Sequence, residues 1–175
     1  LGLTGFFDPA TYMPVRSYLK VPPTHYDYDL LDRLYSLERL FSFAVVRHPV
    51  KRMISNYRWF IEKSTSAARL SKMGFSEYLE YIFEQYGLDE NVVSGHIKPQ
   101  TRFVGRKVSK VFKYEDGLES AVGEVLRHLG LKLKGEVRLP VANNTTVREV
   151  VPSKQELERI YGFYKEDFVA FDYQL

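Results

Sequence analysis

The chain has 175 residues, with 25 Lys and Arg against 22 Asp and Glu, a formal net charge of +3, 45% hydrophobic and 27% charged residues. That length fits one domain with a sizeable core, and no apolar run approaches the roughly 18 residues of a membrane span. The modest charge, with no clustered basic stripe, argues against a nucleic-acid partner, and zero cysteines exclude any disulfide or thiolate metal site.

Residues 1–24 are rich in Gly, Pro and aromatics and read as irregular. Tyr26 to Leu40 reads as an amphipathic helix with Leu30, Leu31, Leu34 and Leu37 inward, preceded by Asp27 or Asp29 as cap. Residues 42–46, apolar and partly β-branched, predict a strand covered on both faces. Pro49 suits the first turn of a helix over 49–61, because its missing N–H costs nothing there. Val50, Met53, Ile54, Tyr57, Phe60 and Ile61 mark that helix's buried face, and Arg52, Ser55 and Asn56 fall off it. His48 is positioned to help cap it.

Ser64 to Gly74 is a polar, small-residue loop, and Lys63-Ser-Thr-Ser66 reads as a solvated turn. Phe75 to Tyr86 predicts a helix with Phe75, Tyr78, Leu79 and Ile82 on one stripe, followed by an irregular polar stretch over 87–101. Val108 to Tyr114 predicts a strand, and Leu118 to Leu129 an amphipathic helix that contains His128 and is stopped by Gly130. Glu115-Asp116 are adjacent and cannot converge on one bond as an acid/base pair, so Glu115 is assigned to structure or capping. Ser153 with Glu156 forms a capping-box pattern opening a last helix through Leu157, Ile160, Tyr161, Tyr164 and Phe168. No internal repeat or low-complexity linker interrupts this alternation, which predicts an α/β domain with a mainly parallel sheet flanked by helices.

The chemistry concentrates where the strand ending at Val46 meets the helix beginning at Pro49. Arg47 stands at the carboxyl end of the strand and Ser55 about two helical turns later, so both can approach one anion beside the open edge of the sheet, where ligands of α/β sheets bind. A guanidinium offers a planar fork of donors that matches a phosphoryl group, and a hydroxyl adds one more.

Arg47-His-Pro-x-x-Arg-x-x-Ser55-x-Tyr57 resembles the 3′-phosphate-binding element of sulfotransferases that use 3′-phosphoadenosine 5′-phosphosulfate (PAPS). The resemblance is closest to the carbohydrate branch, with its heparan sulfate 2-O- and chondroitin sulfotransferase-like enzymes. Further pieces follow in the family's order over about residues 22–173: His96-Ile-Lys-Pro-Gln100, Val111-Phe-Lys-Tyr-Glu-Asp116, Asn143-Asn-Thr145 and Tyr164-Lys-Glu-Asp-Phe-x-x-Phe-Asp-Tyr173. The resemblance implies the sulfotransferase fold, related to P-loop kinases. It also implies sulfuryl transfer from PAPS to a carbohydrate hydroxyl, with PAP as product and no metal. Arg47 and Ser55 would hold the 3′-phosphate, and His96, Lys98 and Gln100 would lie near the acceptor. His25, 22 positions before Arg47, matches the offset of a catalytic histidine in the 2-O-sulfotransferase-like enzymes. Imidazole, with a pKa near ~6.5, suits the task of general base.

One family feature has no counterpart here: a strand, a loop with a lysine and a Gly-Thr-Ser-like sequence, and a helix that hold the 5′-phosphosulfate. The expectation is a single sulfotransferase-like domain over 1–175, N-terminally incomplete, with that strand and loop cut away or lost. A noncatalytic nucleotide- or glycan-binding module is the alternative. A P-loop kinase is disfavoured, since no G-x-x-x-x-G-K-[ST] occurs. The absence of cysteine suggests a cytoplasmic, bacterial-type enzyme, with a Golgi-lumenal one left open.

Overall fold

The computed structural model describes residues 25–63, 72–132, 135, 139 and 149–175. The N-terminal 24 residues, the turn at 63–66 beyond Lys63, most of the 64–74 loop and Asn143–Thr146 therefore lie outside the described residues.

The parallel pairing expected of an α/β chain is present. Strand β1 (Phe43–Val46) pairs in parallel with β2 (Lys110–Lys113), in a register that sets Phe43 opposite Lys110 and Val46 opposite Lys113. Between them run helices α2 (Pro49–Lys63) and α3 (Phe75–Leu88), preceded by α1 (Tyr28–Tyr35). After β2 come α4 (Leu118–His128), α5 (Lys154–Phe163) and α6 (Lys165–Ala170). The arrangement is a mixed α/β fold, a parallel two-stranded sheet flanked by helices, consistent with the sulfotransferase fold.

Burial of the apolar stripes holds the helices together. Val50, Met53, Tyr57 and Phe60 of α2 meet Tyr78, Leu79 and Ile82 of α3 and Ile160 of α5, all at most 8% exposed. Buried tyrosines need partners for their hydroxyls, and each finds one. Tyr57 donates to the Met73 carbonyl at 2.8 Å, Tyr164 to the Ile97 carbonyl at 2.8 Å, and Tyr78 to Asn56 Oδ1.

Several expectations change. The helix foreseen over 26–40 stops at Tyr35, because Ser36 takes a left-handed conformation at φ 48° and a short 3₁₀ turn, Leu37–Arg39, follows. Leu37 is buried, but Leu30 and Leu34 are exposed. Asp27 occupies the N-cap position, yet its side chain makes no cap bond. Strand β1 is covered on one face only: Val46 is buried while Phe43 and Val45 on the other face are exposed. The last helix breaks at Tyr164 (φ −105°, ψ 23°) into α5 and α6.

Other local signals behave as their chemistry dictates. Ser153 and Glu156 form the full capping box. At the end of α4, Gly130 (φ 69°) lets the Leu131 N–H reach the Leu126 carbonyl and its own N–H reach that of Arg127, a Schellman closure. Gly105 is required for a different reason. The Tyr28 ring lies where a Cβ would stand, and the Tyr28 hydroxyl accepts from the Lys107 N–H at 3.2 Å, docking α1 onto the approach to β2.

Candidate functional site

Arg47 is the first residue beyond β1, and two buried side chains fix the backbone that carries it. Gln100 accepts from the Arg47 N–H through Oε1 at 2.8 Å and donates to the Arg47 carbonyl through Nε2 at 2.8 Å. Gln100 is in turn held by Asp167 of α6, fully buried, whose carboxylate accepts from the backbone N–H groups of Gln100 (2.8 Å) and Thr101 (2.9 Å). A carboxylate between two consecutive N–H groups opening a 3₁₀ turn satisfies donors that would otherwise be orphaned.

The next residue is clamped from the other side. Glu115 Oε1 accepts from the His48 N–H at 3.0 Å and its Oε2 from the Tyr173 hydroxyl at 2.9 Å. Burial works to raise the Glu115 carboxyl's pKa, but these bonds prevail and hold it below its usual value. The structural role expected for Glu115 is therefore at the start of α2. His48 caps as foreseen, its Nδ1 accepting from the Val50 N–H at 3.2 Å, while Nε2 donates to the Gln174 carbonyl at 2.8 Å. The C-terminal aromatic motif thus reaches the β1–α2 junction through Asp167, Tyr173 and Gln174.

With its backbone fixed, Arg47 lays its guanidinium over the Tyr114 ring, 4.6 Å from the centroid. Ser55 sits about 9 Å along the axis of α2 from Pro49. Its neighbours one turn either way are Lys51, Arg52, Arg58 and Trp59, three cations and an exposed indole. Among the described residues no ion pair involves Arg47, Arg52 or Arg58. Arg47 Nε, Arg52 Nη1 and Arg58 Nε are buried without a hydrogen-bond partner.

His25 lies at a second end of the same site. Its Nδ1 meets the Ser94 carbonyl at 2.7 Å. A carbonyl only accepts, so Nδ1 donates, which makes Nε2 the acceptor nitrogen of the neutral tautomer. The turn presenting that carbonyl is strained: Val93 (φ 50°) and Ser94 (φ 55°) are both left-handed, and Gly95 follows at φ 81°. His96 packs edge-on against His25, ring centroids 4.3 Å apart, and its carbonyl accepts from Arg52 Nη2 at 2.7 Å. His96 is exposed as a residue, but its ring is crowded by its neighbours, and that desolvation, followed by the electrostatic influence of His25 and Arg52, lowers its pKa.

Segment 94–100, read from sequence as an irregular connection, therefore touches both His25 and Arg47. Two of its residues, Lys98 and Gln100, are engaged by other residues of the protein. Lys98 is 3% exposed, its ammonium bonded to Asp27 at 2.7 Å and near Glu90 at 3.6 Å, and Arg102 joins the same two carboxylates. Burial would raise the Asp27 pKa, but Lys98 and Arg102 together keep it below the usual value. Lys98 thus ties the His25 segment to the strap, and the Gln100 carboxamide is engaged by Arg47 and Asp167. Asp167 went unseen in the sequence. Its signal was a carboxylate at i+7 from Ile160 and i+3 from Tyr164, on an otherwise apolar stripe.

Among the described residues no group of His, Asp and Glu is arranged to hold a metal ion, and no helix is long and apolar enough to cross a membrane. A family model described as the sulfotransferase family matches residues 15–174. Searches of curated proteins and of solved structures returned no match.

Proposed function

The chain belongs to the sulfotransferase family, and from that premise we propose that it transfers a sulfuryl group from PAPS to a hydroxyl of a carbohydrate acceptor. The observation that carries this reading is the set of arginines around the β1–α2 junction, paired with no carboxylate among the described residues and with buried donors left unpaired. An unpaired buried donor costs roughly 1–3 kcal/mol, and more when charged. A phosphate, with several acceptor oxygens, removes that cost. The residues present therefore fit the nucleotide's 3′-phosphate, with Arg47 offering its fork and Ser55 its hydroxyl.

Bound PAPS supplies the activated sulfuryl group; the chain's side chains bind, orient and move the proton. Gln100, Asp167 and Glu115 keep Arg47 and the first turn of α2 in place, so little ordering remains to be done on binding. His25, its Nδ1 proton held by Ser94, takes the acceptor hydroxyl's proton at Nε2. The acceptor oxygen forms the new bond to sulfur as the bond from sulfur to the phosphate oxygen breaks and PAP leaves. Arg52, fixed between the His96 carbonyl and the Tyr164 ring, places a further positive charge between the two ends of the site.

Incubation with sulfate-labelled PAPS and oligosaccharide acceptors tests the reading. Label should appear in glycan in step with PAP formation. Nucleotide binding without transfer to any carbohydrate would make the chain a binding module instead.

A further inference from the structure

The chain's single tryptophan is exposed at a place where a core residue would not be. Trp59 is 43% exposed and projects from the face of α2 that carries Ser55, one turn beyond it. Its indole lies nearly parallel to the His96 ring, 17° apart in plane and 6.3 Å between centroids. His96 in turn packs edge-on against His25 at 4.3 Å. Three rings thus form one continuous aromatic wall, running from the solvent-exposed indole to the proposed base.

Resting on the function proposed above, we infer that Trp59 and His96 form a stacking shelf for one pyranose ring of the acceptor, setting the hydroxyl that faces His25. The C–H face of a pyranose is apolar and carries partial positive charge, so it complements the negative face of an indole. The indole is two ring contacts from His25, which places a stacked sugar beside the proton acceptor. The aromatic beside Arg47 is a different residue, Tyr114, whose face is taken up by the guanidinium. Adenine on the indole is the competing occupant. It is disfavoured because the shelf is continuous with His25 and not with Tyr114. Lys51, Arg52 and Arg58 flank the same helix face, so an anionic substituent on the sugar would also find a counter-charge.

Being the only tryptophan, Trp59 reports its own occupancy. Emission is followed while the full chain is titrated separately with PAP, desulfated heparin oligosaccharide, desulfated chondroitin oligosaccharide and chitohexaose, and PAP binding is measured in parallel by calorimetry. At least one glycan should change the emission. With glycan affinity read by calorimetry, since the variants carry no tryptophan, Trp59→Ala should then weaken that glycan by about tenfold or more, Trp59→Phe by less, and both should keep PAP affinity. Thermal melts check that the variants fold, and Trp59→Phe carries the test if Trp59→Ala does not. Emission unmoved by all three glycans, or moved by PAP alone, overturns the shelf. Failure of PAP to bind in the calorimeter would instead overturn the function on which it rests.

Discussion

Gln100 grips Arg47 by both of its backbone polar groups, accepting from the N–H and donating to the carbonyl, each at 2.8 Å across 53 positions of sequence. A carboxamide does both because it sets an acceptor oxygen and a donor nitrogen side by side. Gln100→Leu should therefore destabilise the fold by about 1–3 kcal/mol, because it strands buried partners. Gln100→Glu should do no better, since a carboxylate cannot donate to the Arg47 carbonyl and would face Asp167. Denaturant midpoints measure the loss; an unchanged midpoint in Gln100→Leu would show that the clamp contributes nothing.

Asp167 holds that clamp from behind. Its carboxylate accepts two consecutive backbone N–H groups with no solvent exposure, so Asp167→Ala should cost about 1.5–3 kcal/mol or more. Asp167→Asn should recover only part, because one amide oxygen replaces two carboxylate oxygens. Chemical denaturation of both variants gives the ranking, and equal stability of Ala and Asp at 167 would refute it.

Much of the scaffold was legible because its signals are local. The stripe Val50, Met53, Tyr57, Phe60 needs only helical period, and the Ser153–Glu156 box and Gly130 stop need only a few neighbouring residues. The strand-to-helix junction that carries Arg47 and Ser55 was readable for the same reason. Ser36 and Tyr164 broke helices that periodicity alone would have continued, since nothing in their side chains forbids helix. Lys98 and Gln100 lie in a stretch that reads only as irregular and polar, and their burial could not be seen there because their partners Asp27, Arg47 and Asp167 lie more than fifty positions away. Long-range pairing of a polar side chain leaves no periodic trace.

His96 should give stability a pH dependence of definite sign. In the folded chain the crowding of its ring, then His25 and Arg52, lower its pKa from 6.5 to about 4; the residue is still exposed to solvent, which screens the effect and keeps its share of the stability small. The unfolded chain takes up this proton first as pH falls, so it binds more protons and stability drops from about pH 6.5 toward about 4. His96→Asn cannot titrate and should flatten that limb. Asp27 and Glu115, both with lowered values, add a separate loss at still lower pH, as the folded carboxylates are finally protonated. Urea midpoints across this range decide it; identical slopes for wild type and His96→Asn would contradict the assignment.

His25 separates chemistry from binding. His25→Ala should lower turnover by ~10²–10⁴-fold while leaving PAP affinity nearly unchanged, because the proton it takes belongs to the acceptor. Steady-state rates and calorimetry on the same preparation supply both readings. Near-normal turnover would reduce His25 to a packing partner of His96.

The most direct measurement is calorimetric titration of wild type and Arg47→Ala with PAP and with 5′-AMP, which lacks the 3′-phosphate. Wild type should prefer PAP, and Arg47→Ala should lose about 1.5–3 kcal/mol of PAP binding, roughly 10- to 100-fold, with little change toward 5′-AMP. Ser55→Ala should lose less, in keeping with one neutral donor. Equal affinity of wild type for the two nucleotides, or full PAP affinity in Arg47→Ala, would contradict the assignment of the β1–α2 junction as the 3′-phosphate site.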